Sequence, residues 1–144
     1  VVDRVHAFLG QEHGHKEVTP IDEAVNAVQR LYRKYDIHAL TARHPSFRRT
    51  TEEYLGEYFS GIISDLTLVG HVANMDVVRS KAEVCVELGA VALIDDSVGH
   101  VSGCTEQGIT GFLFGDYPWN ITVDIPNEVI RCKNWSEVLN YFGA

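Results

Sequence analysis

The sequence feature that most constrains this chain is an apolar run ending in two adjacent carboxylates, Val91-Ala92-Leu93-Ile94-Asp95-Asp96-Ser97. A short apolar run bounded in this way is typical of a buried parallel strand. In open α/β sheets, ligands bind just beyond the carboxyl ends of such strands. Two neighbouring carboxylates repel each other, and Mg²⁺ is commonly held by one or two carboxylates together with phosphate oxygens and water. The stretch therefore predicts a cation site at the end of a strand.

The same residues have a simpler interpretation. Asp96 or Ser97 can cap the following helix by accepting hydrogen bonds from its first free amides. An isolated pair of aspartates does not decide between a cap and a cation site. The choice depends on what the rest of the chain brings to the same place.

Helical and strand-like segments alternate along the chain. Apolar periodicity predicts helices over residues 1–12, 19–34, 45–58, 80–89, 97–107 and 134–142. The segments between them predict strands over residues 35–40, 91–94, 109–114 and 128–132, and a strand pair or one broken strand over residues 61–69. Such alternation indicates βαβ units, and hence a Rossmann-like, doubly wound α/β fold with a mostly parallel sheet.

Local signals mark several helix ends. Thr19-Pro20 predicts a capped start with proline at the first helical position. Ser80 and Asn134 predict caps for two later helices, and Gly89 predicts the exit of the helix that Ser80 begins. These residues set the expected boundaries of the elements around the aspartates.

Length and composition restrict the class of protein. The 144 residues predict a single domain, with residues 1–18 as a helix and connector and residues 19–144 as the core. A net charge of −8 argues against a nucleic-acid polymer as partner, because such partners require clustered Lys and Arg. Three cysteines without paired spacing predict a reducing, cytoplasmic compartment. No apolar run approaches 18 residues, so no membrane partner is predicted.

Chemically useful residues recur at the predicted strand ends. The carboxyl ends of parallel strands meet at one edge of a sheet, so that edge collects Thr41, the loop after Val69, Asp95-Asp96 and Asp116. Thr41 offers a hydroxyl and an amide, and Lys81 offers a positive charge at a helix start. Together with the acidic pair they predict a phosphate site.

These motifs, in this order, resemble those of the haloacid dehalogenase superfamily of phosphohydrolases, and within it the deoxyribonucleotidase-like branch. Leu40-Thr41-Ala42-Arg43 is similar to its second motif, Lys81 to its third and Ile94-Asp95-Asp96 to its fourth. The segment from Gly108 to Asn120 is similar to the stretch that follows the fourth motif in this branch. The resemblance runs from about Thr19 to Phe142.

The resemblance implies a magnesium-dependent, nucleotidase-like phosphatase acting on a small phosphorylated substrate. It implies that Thr41, Ala42, Arg43 and Lys81 bind the phosphoryl group, and that Thr41 and Lys81 act in catalysis. Asp96, with Asp95 beside it, would hold Mg²⁺. Asp96 is the stronger candidate because it lies nearer the carboxyl end of the strand.

The chain departs from the family at its first motif. That motif is Asp-x-Asp at the end of the first strand, and no Asp-x-Asp occurs in the 144 residues. We therefore expect the central first strand to be missing from this chain, and the short segment between residues 1–14 and Thr19 predicts a cap domain that is reduced or absent. We also expect the chain as written to be inactive, and the empty position to be filled by an N-terminal segment or a partner chain through strand addition.

Two other interpretations of the same residues stay open. The first is a non-catalytic module of the same fold that binds phosphate, a metal ion or a partner. The second is a phosphoacceptor receiver domain, which also uses acids, a threonine and a lysine at strand ends. In a receiver domain, however, the acidic pair precedes the threonine and the lysine, which is the reverse of the order here.

Overall fold

The computed structural model describes residues 18–70 and 79–144, and the chain divides into two compact units, Val1–Asp76 and Val77–Ala144. The helix predicted over residues 1–12 lies outside the described residues. Assignment of the whole chain to a single domain stays a prediction, and each unit is described below by itself.

The first unit contains a pair of parallel strands. Its described elements are α1 (Ala24–Tyr32), β1 (Ile37–Thr41), a turn of 3₁₀ helix (Pro45–Phe47), α2 (Arg48–Tyr58) and β2 (Ile63–Leu68). β1 and β2 pair in parallel, with one irregularity in register after Ile37 and with Thr41 opposite Leu68. Residues 61–69 therefore contain one strand, not a strand pair.

Helix α1 begins later than the sequence predicts. Thr19-Pro20 precedes the helix, and Glu23 occupies the N-cap position with φ 65° and no side-chain cap. The amide of Ala24 donates to the carbonyl of Ile21 at 3.0 Å, which closes a turn there. Because a left-handed residue interrupts a right-handed helical path, the residues before Glu23 cannot continue the helix.

The second unit contains a three-stranded parallel sheet. Its elements are α3 (Lys81–Leu88), β3 (Ala92–Asp95), α4 (Val98–Thr105), β4 (Thr110–Phe114), β5 (Ile130–Cys132) and α5 (Trp135–Phe142). The strand order is β3-β4-β5, with Asp95 opposite Leu113 and Phe114 opposite Cys132. The carboxyl ends of all three strands therefore lie at one edge of this sheet.

The helix ends in this unit follow their local signals. Ser80 Oγ accepts from the amide of Glu83 at 3.1 Å, and the Glu83 carboxylate accepts from the amide of Ser80 at 2.6 Å, which completes a capping box. Gly89 ends α3 in the left-handed conformation. Asn134 Oδ1 accepts from the amide of Glu137 at 3.0 Å and so caps α5. The predicted caps are confirmed.

The core of the second unit lies between the sheet and its helices. Its least exposed members are Val84, Cys85, Val101, Cys104, Phe112, Leu113, Cys132 and Val138. Helix α4 packs so closely on β4 that a Cβ at Gly111 would lie only 2.7 Å from the carbonyl oxygen of Val101. Glycine at this position lets the helix approach the strand.

The described residues form a mixed α/β protein with two small parallel sheets, which is compatible with a Rossmann-like arrangement. The predicted α/β class and the parallel pairing are confirmed. Within the described residues, no helix has the length and apolar character needed to cross a membrane.

Candidate functional site

Lys81 and Asp95 form a buried ion pair at the carboxyl end of β3. The capping box places Lys81 in the first turn of α3, and its Nζ donates to Asp95 Oδ2. The two side chains are only 8% and 7% exposed. The other oxygen of Asp95 accepts from the amide of Ser97 at 2.9 Å and lies 3.0 Å from Nδ1 of His100. Asp95 thus has internal partners on both oxygens.

These partners keep Asp95 ionised. Burial by itself raises the pKa of a carboxyl group, because it disfavours the charged form. The hydrogen bond and charge of Lys81, followed by the bonds from Ser97 and His100, outweigh burial and hold the pKa of Asp95 below its usual value. Asp95 is therefore a charged carboxylate with partners from within the chain on both oxygens.

Asp96 differs from its neighbour because it is exposed. Its Oδ2 accepts from Nε1 of Trp119 at 3.0 Å. Among residues 18–70 and 79–144, no donor is bonded to its Oδ1. Ser97 occupies the N-cap position of α4, but its side chain makes no capping bond. Asp96 is the member of the acidic pair that a ligand can reach.

The donor set near Asp96 suits a cation that keeps most of its water. The part of the chain that the structure describes has no group of three or more His, Cys, Asp or Glu side chains arranged to hold a metal ion. Mg²⁺ commonly uses one or two protein carboxylates and completes its octahedron with water and substrate phosphate. A single exposed carboxylate is a ligand type that Mg²⁺ accepts, and Mg²⁺ binding at Asp96 stays a prediction.

In the first unit, the residues after β1 form a compact turn. Thr41 Oγ1 accepts from the amide of Arg43 at 3.2 Å, and the carbonyl of Thr41 accepts from the amide of Val69 at 2.9 Å. Ala42 is exposed, and Arg43 Nη1 donates to Thr51 Oγ1 at 3.2 Å. The turn presents a hydroxyl, backbone amides and a guanidinium beside the end of a strand.

The predicted site residues thus fall into two groups. Thr41, Ala42 and Arg43 adjoin one another in the first unit. Lys81 and Asp95 are paired in the second unit, with Asp96 next in the chain. The roles of all six residues stay predictions.

Three further side chains belong to the second group, and the sequence alone suggests them as lining of the mouth of the site without a catalytic or metal-binding role. They are His100, Trp119 and Asn120, and each contacts Asp95 or Asp96. His100 lies in the first turn of the helix after the aspartates, which is a usable sequence signal. Trp119-Asn120 lies more than 20 residues away, and only the pairing of β3 with β4 brings that turn to the aspartates.

No protein-family model matches the chain, and no curated protein matches it. The class that the described residues define is a mixed α/β protein with parallel sheets and a buried lysine–aspartate pair at a strand end. Any finer family assignment depends on the motifs themselves.

Proposed function

We propose that the chain is part of a magnesium-dependent phosphohydrolase of the haloacid dehalogenase type, nucleotidase-like, that acts on small phosphate monoesters. The observation that carries this proposal is the buried Lys81–Asp95 pair beside the exposed Asp96, at the carboxyl end of a parallel strand. The sequence order of the threonine turn, the lysine and the acidic pair supports the same family.

Each group has a role in the proposed chemistry. An aspartate carboxylate attacks phosphorus and displaces the alcohol of the monoester, and water then hydrolyses the acyl phosphate to inorganic phosphate and the free aspartate. We propose that Thr41, Ala42 and Arg43 bind phosphoryl oxygens, and that Lys81, oriented by Asp95, neutralises phosphate charge. Asp96 would hold Mg²⁺, which would supply positive charge to offset the negative charge of the phosphoryl group. Because no Asp-x-Asp occurs in the 144 residues, the proposed nucleophile comes from outside them.

Composition supports a small substrate and a reducing compartment. The net charge of −8 disfavours a nucleic-acid polymer, whereas a small anion can bind through local cations. All three cysteines are free thiols, which supports a cytoplasmic protein. We propose no membrane partner.

A magnesium titration followed by calorimetry tests this function. We expect Asp96→Asn to weaken Mg²⁺ binding by at least about tenfold, because it replaces the accessible carboxylate with a neutral amide. Asp124→Asn is the matched control, since Asp124 is also exposed and loses the same charge. Magnesium binding in Asp96→Asn that equals binding in the parent would refute the assignment.

A second candidate is a non-catalytic phosphate- or metal-binding module of the same fold. It is favoured by the absence of Asp-x-Asp and by the Lys81–Asp95 pair, which is satisfied without any ligand. Both candidates predict that the 144 residues do not hydrolyse p-nitrophenyl phosphate with excess Mg²⁺. Turnover that Asp96→Asn abolishes would place the nucleophile within this chain. Only the enzyme predicts turnover in a longer chain that supplies an upstream Asp-x-Asp.

A further inference from the structure

The turn after β4 holds Asp96 through both its side chain and its main chain. Trp119 Nε1 donates to Asp96 Oδ2, and Asn120 Nδ2 donates to the Asp96 carbonyl, each at 3.0 Å. We propose that Trp119 is a positioning residue that orients the Asp96 carboxylate for its cation, with Asn120 as the fixed base of the turn. This inference rests on the proposed function.

Asn120 is held from several directions. It is fully buried, and its side-chain amide donates to the Phe114 carbonyl at 3.1 Å as well as to Asp96. Its Oδ1 accepts from the amide of Tyr117 at 3.0 Å, and its carbonyl accepts from Arg131 at 2.9 Å. These bonds join the ends of β3 and β4 to the turn, so the residue beside Trp119 has little freedom to move.

The position of Trp119 is not explained by core packing. Its side chain is 59% exposed, and its ring stacks on Tyr117 with centroids 4.8 Å apart and an interplanar angle of 8°. A phenylalanine could stack in the same way, but it has no N–H to offer Asp96. The indole bond occupies Oδ2 of Asp96, and no donor among the described residues is bonded to Oδ1. Partners of this kind, one step removed from a metal, orient the ligand and commonly change metal affinity 10- to 100-fold.

The test compares two identical substitutions. Trp119→Phe removes the bond to Asp96 and retains an aromatic ring. Trp135→Phe is the matched control, because Trp135 packs against Phe114 and its buried Nε1 has no hydrogen-bond partner in the described part of the chain. In calorimetric titrations with Mg²⁺ alone, we expect Trp119→Phe to bind about tenfold more weakly than the parent and Trp135→Phe to bind equally. Thermal melts establish that both variants fold.

A second measurement needs no metal. The chain has two tryptophans, so Trp135→Phe leaves a single indole N–H signal in a proton–nitrogen NMR spectrum. We expect that signal to shift when Asp96→Ala is added, because the acceptor is lost. An unmoved signal would overturn the positioning role.

The calorimetric outcomes separate the two ideas. Unchanged magnesium binding in Trp119→Phe, with Asp96→Asn impaired, would overturn the positioning role and leave the proposed function standing. A parent chain that binds no Mg²⁺ would overturn the proposed function itself, together with the cation as the reason for orienting Asp96.

Discussion

At the scale of single residues, the two aspartates of the acidic pair have different environments. Asp95 is buried and bonded to Lys81, Ser97 and His100, whereas Asp96 is exposed and bonded to Trp119. The sequence predicts an acidic pair at a strand end but does not show which member pairs with the lysine. That assignment depends on the bond between the first turn of α3 and the end of β3, which joins residues 14 positions apart.

Breaking the buried Lys81–Asp95 pair should lower the free energy of unfolding substantially. Lys81→Met leaves the Asp95 carboxylate buried without its cation, which typically costs about 3 to 5 kcal/mol. Lys133→Met is the control, because Lys133 is 64% exposed and lies 3.9 Å from its acidic partner, so its loss should cost less than about 1 kcal/mol. Urea unfolding at neutral pH measures both. Equal costs for the two variants would contradict a structural role for the buried pair.

Because of the same pair, the difference in the free energy of unfolding between the parent and Lys81→Met should depend on pH. Because the folded pKa of Asp95 is lowered, its stabilising effect is present above the unfolded pKa of about 3.9 and is lost as the pH falls through the folded pKa. In Lys81→Met, burial remains and the main lowering influence is gone. The free-energy gap between parent and Lys81→Met should therefore narrow on acidification, and a constant gap would argue against this account.

At the scale of elements, predictions succeeded where a helix end depends on nearby residues. Ser80 and Asn134 cap their helices by bonds to residues three positions ahead. The start of α1 was wrong because the left-handed Glu23 sets it, and Thr19-Pro20 contains no sign of that conformation. Local cap signals are informative only when the backbone between the cap and the apolar stripe is free to be helical.

The turn that begins at Gly115 should be sensitive to one added methyl group. Gly115 has φ 77°, and a Cβ there would collide with the ring of Tyr117. Gly108 has nearly the same φ, 75°, but a Cβ there meets nothing within 4 Å. We expect Gly108→Ala to cost about 1 to 2 kcal/mol from backbone strain alone.

Gly115→Ala should lower the free energy of unfolding more than Gly108→Ala does, because the collision with the Tyr117 ring adds to the same backbone strain. It should also weaken magnesium binding, since a displaced Tyr117 disturbs the stack that carries Trp119. Urea unfolding and calorimetry measure the two effects. Equal stability losses in the two variants would show that the turn accommodates the methyl group.

At the scale of the whole chain, the alternation of helices and strands was enough to predict parallel pairing. It was not enough to predict two compact units, Val1–Asp76 and Val77–Ala144, because a division of this kind depends on contacts between residues distant in sequence. The strand pairing in the two sheets is also relevant to the central strand that we expect to be missing from this chain. Among the described residues, β1 is bonded only to β2, and β3 only to β4.

The proposed strand addition can be tested on β3. The carbonyl of Val91 accepts from Thr110 at 3.2 Å, so alternation along the strand points the amides of Ala92 and Ile94 away from β4. We expect those two amides to exchange with solvent faster than the amide of Leu93 in the 144-residue chain. A longer chain that supplies another strand should protect them. Slow exchange of all three amides in the present chain would contradict strand addition at this edge.

Labelling of the buried cysteines of the second unit can report the opening of that unit. Cys85, Cys104 and Cys132 are at most 3% exposed, and burial raises the pKa of each thiol, to about 12 for Cys104. In the folded state the thiols are therefore inaccessible to an alkylating reagent, and they are not ionised to the reactive thiolate. Because all three lie in Val77–Ala144, the rate of thiol labelling measures how often that unit opens and carries no direct signal from the other unit.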